Sequence, residues 1–173
     1  MDKTLLVPVD FSDCTHGLVE QAAVLAGRLG VGVTLLHVVE APGDTGSLRF
    51  EDGLSGTELL HRESQAHLQR FSHGLRERGF AYQLMTRPGS PGAAIIAASF
   101  EQPPLMIMMG THGRQGVVRM LLGSVAEYVL RRAEVPVITV RTCHRPECAP
   151  RSCAVCTAHH TPVATLLAIE QGG

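Results

Sequence analysis

The chain has 173 residues with 15 basic and 16 acidic side chains, a formal net charge of −1, which gives no electrostatic case for nucleic acid or an anionic membrane as partner. Its hydrophobic content of 45% is that of a globular protein rather than a disordered one, and the length fits one domain with a real core. No apolar run approaches the ~18 residues of a membrane span, and the few residues between Lys3 and Asp10 are too short for a signal-peptide core, so the expectation is a cytoplasmic protein.

In chain order, residues 4–9 read as a first strand, buried on both faces and ending at Asp10. Ser12 is the expected N-cap of a helix over 13–29, where Leu18, Ala22, Leu25 and Leu29 make one apolar stripe and Gly30 supplies the stop. Residues 32–39 read as a second buried strand. Residues 41–57 hold Pro42, Gly43, Gly46, Gly53 and Gly56 with little periodicity and read as a mobile loop. A long amphipathic helix is expected over 58–78, with Leu60, His67, Leu68, Phe71 and Leu75 on its apolar side and Gly79 closing it. A third strand is expected over 80–86 through Phe80, Tyr82 and Leu84. Ser90 and Pro91 open the next helix, a cap residue followed by proline at the first helical position, and Ala93 to Phe100 carry it. A short apolar strand from Leu105 to Met109, a helix over 124–133 and a last strand over 136–140 complete the order.

Strands and helices thus alternate, and strands that read as continuous apolar runs argue for a parallel sheet covered on both faces. The expected fold is α/β, a doubly wound, Rossmann-like five-stranded parallel sheet with helices on both faces. Ligands of such folds bind beyond the carboxyl ends of the strands, where Asp10, Val38 and Gly110 fall.

Residues 104–125 are the most informative stretch. The strand stops at Gly110, Gly113 follows two residues after Thr111, and Gly123 stands directly before Ser124. Glycine lets backbone N–H groups turn toward one point and lets a ligand come close. Ser124-Val-Ala-Glu127 has the form of a capping box opening a helix. A strand, a glycine loop and a helix N-terminus together make a phosphate site, because orphan N–H groups and the helix dipole both favour an anion. Turn glycines and an ordinary cap are the bland alternative for any one of these residues. The full spacing, G-x2-G-x9-G-S, is neither the dinucleotide fingerprint nor the Walker A loop.

This pattern resembles the nucleotide-binding signature of the universal stress protein family, in its ATP-binding branch. The resemblance covers residues 3–141 and extends to Val7-Pro-Val-Asp-Phe-Ser-Asp13, Leu36-His-Val-Val39, Leu121-Leu-Gly-Ser-Val-Ala-Glu127 and Val135-Pro-Val-Ile-Thr-Val140. It implies ATP as ligand, with AMP or ADP as alternatives, and leaves room for Mg²⁺. It implies that Asp10 holds the ribose, a task its two acceptor oxygens suit; capping the first helix is the rival role. Backbone groups at Val38 and near Pro8 and Val9 are implied to read adenine. Met109, Gly110, Thr111, Gly113, Gly123, Ser124 and Val125 are implied to surround the phosphates. Arg114 either adds charge there or is a solvated loop arginine, and His112 reads as a loop residue rather than a catalyst. The family also implies a homodimer through strand 136–140, consistent with an apolar strand at a sheet edge.

Fast chemistry is not expected. There is no P-loop lysine, no acidic partner beside Asp10 in a metal-holding pattern and no kinase catalytic loop. The reading is a nucleotide-dependent regulator or sensor in stress response, with at most slow ATP hydrolysis or autophosphorylation. An enzyme of related architecture, of the ATP-pyrophosphatase or nucleotidyl-transferring kind, would want further charged residues beside the loop.

Residues 142–173 form a separate extension with Cys143, Cys148, Cys153, Cys156, His159 and His160. Cys153-Ala-Val-Cys156 has the reach for two thiolates on one tetrahedral metal, and Cys143 or Cys148 with His159 or His160 complete four ligands, which favours zinc. Disulfide formation in a redox-active appendage, a variable terminus without metal and cysteine pairing between subunits are the three competing readings. Cys14, alone on the first helix, reads as a packing residue.

Overall fold

A computed structural model describes residues 3–12, 14–40, 55–111 and 122–140. The order is β1 (Thr4–Pro8), α1 (Thr15–Leu29), β2 (Gly32–Val39), α2 (Gly56–Glu77), β3 (Tyr82–Pro88), α3 (Pro91–Glu101), β4 (Met106–Gly110), α4 (Ser124–Arg132) and β5 (Val137–Val140). All pairings are parallel, and the five strands stand in the order β3-β2-β1-β4-β5. This is the doubly wound α/β fold that the alternation implied.

The central strands β1, β2 and β4 are apolar on both sides because both sides are covered. Leu5, Val7, Val33, Leu35 and Met108 pack with Leu18, Ala22 and Ala26 of α1 and Leu68 and Leu75 of α2. Their strand neighbours Leu6, Leu36, Ile107 and Met109 pack with Ile95 and Ala98 of α3 and Ala126 and Val129 of α4 on the other face. Period-two alternation along each strand therefore feeds two cores.

Several local expectations need correction. Helix α1 buries Thr15, Leu18, Val19, Ala22, Ala23 and Ala26, a stripe that runs off before Leu29, which is 44% exposed. Ser12 does not cap α1 through its side chain: its Oγ is buried with no hydrogen-bond partner among the described residues, while its carbonyl accepts the Thr15 N–H at 2.9 Å. Helix α2 starts earlier than its periodicity indicated. Ser55 and Glu58 form a reciprocal capping box, with the Glu58 N–H on Ser55 Oγ at 3.2 Å and the Ser55 N–H on Glu58 Oε2 at 2.7 Å. The S-x-x-E signal for it stood in the sequence, inside the stretch assigned to loop. His67, placed on the apolar stripe of α2, is exposed. Gly30, with φ 65°, is the left-handed C-cap of α1 as expected, and Ser90 with Pro91 opens α3 as expected. Residues 41–54 of the expected loop over 41–57, the segment holding His112, Gly113 and Arg114, and the extension 142–173 lie outside the described residues.

Candidate functional site

The strand order reverses between β1 and β4, because the chain winds outward from β1 to β3 and then returns to lay β4 on the other side of β1. A crevice opens at the carboxyl ends of the strands at such a point. A cavity of about 1000 Å³ lies there. Pro8, Val9, Asp10, Val38, Met109, Gly110, Thr111, Gly123, Ser124 and Val125 all line it. The structure thus brings together every site residue named from sequence that falls within the described residues. Among those residues no group of three or more His, Cys, Asp and Glu side chains could hold a metal ion; Cys143, Cys148, Cys153, Cys156, His159 and His160 lie outside them.

The floor of the cavity follows from how β1 leaves the sheet. The Val9 N–H donates to the Leu36 carbonyl at 2.8 Å and the Gly32 N–H to the Lys3 carbonyl at 3.3 Å, so even-numbered residues of β2 direct their backbone groups toward β1. The Val33 N–H on the Ala81 carbonyl (2.9 Å) and the Gly89 N–H on the Val39 carbonyl (3.1 Å) send the odd-numbered ones toward β3. One more rung of a parallel ladder would join the Val38 N–H to the Val9 carbonyl. That rung is not made. The Val9 carbonyl instead accepts from His37 Nδ1 at 2.8 Å. A carbonyl only accepts, so Nδ1 carries the proton.

Two consequences follow. Both backbone groups of Val9 already make a hydrogen bond inside the protein, while its second carbonyl lone pair stays available. Val38 lines the cavity at 9% exposure with an N–H and a C=O that no described residue bonds. A buried backbone group left unpaired costs about 1–3 kcal/mol, and such groups are rare. An open donor–acceptor pair here is therefore a place for a ligand edge of matching pattern.

The turn after β1 is held tightly. Asp10 Oδ1 accepts the Ser12 N–H at 3.1 Å and the Thr15 hydroxyl at 3.4 Å, so the carboxylate is oriented by the start of α1. Phe11 has φ 59°, in the left-handed region. For a bulky residue this costs on the order of 1–3 kcal/mol and persists only where the surroundings enforce it. The surroundings are aromatic: the Phe11 ring stacks on His37 at 3.9 Å and lies 5.0 Å from His67 and 5.8 Å from Phe71.

The opposite wall is built by β4 and α4. The Thr111 N–H donates to the Val140 carbonyl at 3.0 Å, and the Thr111 carbonyl accepts the Gly123 N–H at 2.7 Å. A Cβ on Gly123 would sit 3.1 Å from that same carbonyl oxygen, a tight contact that only a small backbone shift would relieve. Gly123, not Ser124, is the N-cap of α4. The capping box expected from Ser124 to Glu127 is absent, because Ser124 is already the first helical residue. Glu127 instead pairs with Arg131 at 2.8 Å. Ser124 is exposed and lines the cavity. Its amide and that of Val125 belong to the first turn, whose N–H groups have no intrahelical partner.

Sequence reasoning missed Phe11, His37 and Tyr128, and the α2 residues Glu63, Ser64 and His67, all of which line the cavity. Spacing of three and four residues from Leu60 through Glu63 and Ser64 to His67 was the available signal for the α2 set. Tyr128 packs over Gly92, where a Cβ would come within 2.7 Å of its Cδ1. The Arg132 guanidinium lies 4.0 Å above the Tyr128 ring.

A profile of the universal stress protein family matches residues 1–141. Universal stress protein MJ0531 of Methanocaldococcus jannaschii is 30% identical over 139 residues, covering 80% of this chain and 82% of that one. Universal stress protein Rv2005c of Mycobacterium tuberculosis is 53% identical over 152 residues, covering 79% of this chain and 45% of its own length. Among solved structures, protein MJ0577 of Methanocaldococcus jannaschii superposes with a TM-score of 0.70 at 26% identity, covering 84% of this chain and 99% of that one. An Archaeoglobus fulgidus universal stress protein in complex with dAMP shares the fold, with a TM-score of 0.55 at 24% identity, covering 79% of this chain and 96% of that one. Among the described residues no helix is long and apolar enough to cross a membrane. The matched span takes in both walls of the cavity and the turn after β1, and this chain belongs to the universal stress protein family.

Proposed function

We propose that the chain binds an adenine nucleotide, ATP foremost, in the cavity between β1 and β4, and acts as a nucleotide-dependent regulator rather than a fast catalyst. The observation that carries this reading is the Val38 backbone pair on the cavity floor, to which no described residue bonds. The Watson–Crick edge of adenine offers an amino donor beside a ring-nitrogen acceptor, the complement of one C=O and one N–H. Asp10, oriented by Ser12 and Thr15, stands one residue beyond Val9, where its carboxylate suits ribose hydroxyls. The close-packed Gly123 and the first turn of α4 suit phosphate, with His112, Gly113 and Arg114 in the segment between Thr111 and α4. Mg²⁺ would accompany the phosphates there. The dAMP held by the Archaeoglobus fulgidus protein is of the same ligand class.

The test is to denature purified protein, identify any adenine nucleotide released, and titrate ATP into the emptied protein, wild type against Asp10→Ala. Loss of a hydrogen bond to a charged group weakens binding by about 1.5–3 kcal/mol, or roughly 10- to 150-fold. No released nucleotide and no binding by wild type would reject the reading. Turnover on the ~1–100 s⁻¹ scale of ordinary kinases would reject the regulator.

A homodimer through β5 is the second part of the proposal. β5 is an edge strand. The Ile107 N–H bonds the Pro136 carbonyl and the Thr111 N–H the Val140 carbonyl, so the backbone groups of Val137 and Thr139 face away from β4. Such a row invites a second chain.

A further inference from the structure

We infer that His37 is a positioning residue that keeps the Val38 backbone pair open by taking the Val9 carbonyl for itself. In its ligand-binding consequence this rests on the adenine-nucleotide reading above; in its backbone consequence it stands alone. Without a side-chain donor at position 37, the nearest partner for the Val38 N–H is the Val9 carbonyl, the next rung of the ladder already running through Val9 and Leu36. His37 Nδ1 occupies that carbonyl at 2.8 Å. The Phe11 ring, stacked on the imidazole at 3.9 Å and 24°, covers it from the side of the departing chain. Phe11 itself holds a φ of 59°, which turns the backbone away from β2 directly after Asp10. The imidazole thus replaces one rung of sheet, and the strained residue against it prevents the following rung. The cavity gains a donor and an acceptor from a strand that would otherwise have used them. Asp10 lies between the residue His37 holds and the residue stacked on it, so one ring sets both the base-reading edge and the carboxylate. The rival account is that His37 merely fills space between Phe11 and α2.

His37→Asn and His37→Leu separate the two accounts. Asparagine carries an amide N–H₂ on the atom equivalent to the one bearing Nδ1, whereas leucine fills volume and donates nothing. The first readout is amide hydrogen exchange by NMR in ligand-free protein. The Val38 N–H of wild type and of His37→Asn is expected to exchange fast beside a protected Leu36 N–H, and in His37→Leu to become protected as the ladder closes. The second readout is calorimetric affinity for AMP, IMP and ribose 5-phosphate. Wild type and His37→Asn are expected to prefer AMP over IMP by about tenfold or more, since IMP presents the reversed donor and acceptor pattern to a buried pair. In His37→Leu that preference is expected to vanish while ribose 5-phosphate binds as before.

A protected Val38 N–H in wild type, or one that stays unprotected in His37→Leu, overturns the inference. Equal weakening of all three ligands in His37→Leu also overturns it, since that is the mark of a packing residue. If His37→Leu does not fold, loss of the AMP preference in His37→Asn overturns it and retention supports it. If the exchange pattern is as expected but wild type binds none of the three ligands, the adenine-nucleotide reading falls and the role of His37 in opening the edge stands.

Discussion

Replacing Gly123 by alanine tests the wall that joins β4 to α4. The added Cβ would lie 3.1 Å from the Thr111 carbonyl oxygen, a backbone atom that also accepts the Gly123 N–H at 2.7 Å. Neither partner can swing aside as a side-chain tip would, so the start of α4 must shift by a few tenths of an ångström. Overpacking of this kind costs about 1–3 kcal/mol, and alanine is a poorer N-cap than glycine by roughly a further 0.5–1 kcal/mol. The expected loss is roughly 2–4 kcal/mol, a drop in Tm of about 4–16 °C for a chain of this size, read by urea and thermal denaturation. Gly74→Ala is the matched control. Gly74 sits on the exposed interior of α2 with nothing within 4 Å of its would-be Cβ, so the same change should stabilise by up to ~1 kcal/mol. The displaced α4 amides should weaken ATP by about 5- to 30-fold and leave adenosine, which lacks phosphate, nearly unaffected. A Gly123→Ala protein as stable as wild type would refute the close approach. Equal losses for ATP and adenosine would refute the assignment of this wall to phosphate.

Ser55→Ala removes the side-chain acceptor of the reciprocal cap on α2 and should cost ~1 kcal/mol of stability; no change in denaturant midpoint would show the cap to be idle. Thr139→Pro removes an N–H that faces away from β4 while leaving the inner ladder to Ile107 and Thr111 intact. It should convert a dimer to a monomer in light scattering with a near-normal far-UV spectrum, and an unchanged mass would remove β5 from the interface. For the extension, protein purified without added metal should carry about one equivalent of zinc, as expected of a four-ligand Cys/His site. Less than a few tenths of an equivalent would favour the redox or unliganded readings of Cys143, Cys148, Cys153 and Cys156.

What the sequence by itself determined is what local chemistry encodes. Continuous apolar runs specified buried parallel strands, the 3.6-residue stripes specified the helices that cover them, and Gly30, Ser90 and Pro91 marked boundaries by their backbone preferences. The spacing of Gly110, Gly113, Gly123 and Ser124 pointed to the carboxyl end of β4, where Gly110, Gly123 and Ser124 line the cavity. Errors arose where two near-equal local signals competed. Ser55 and Ser124 both open S-x-x-E, yet only Ser55 caps; at α4 the preceding Gly123 takes the cap because its N–H is tied to Thr111. Leu29 fits the α1 stripe by spacing but is 44% exposed.

Only the tertiary structure decided the floor of the cavity. Whether the backbone of Val38 is spent or open depends on where β1 ends relative to β2, and on a histidine reaching across to Val9. The first is set by another strand, and the second, although His37 adjoins Val38 in sequence, depends on where the Val9 carbonyl lies. The fate of a backbone hydrogen bond in a sheet belongs to two strands distant in sequence, so no reading of one strand can supply it. The strained Phe11 was equally illegible: nothing in Asp10-Phe11-Ser12 forces a left-handed phenylalanine, and its ring contacts His37, His67 and Phe71, drawn from β2 and α2.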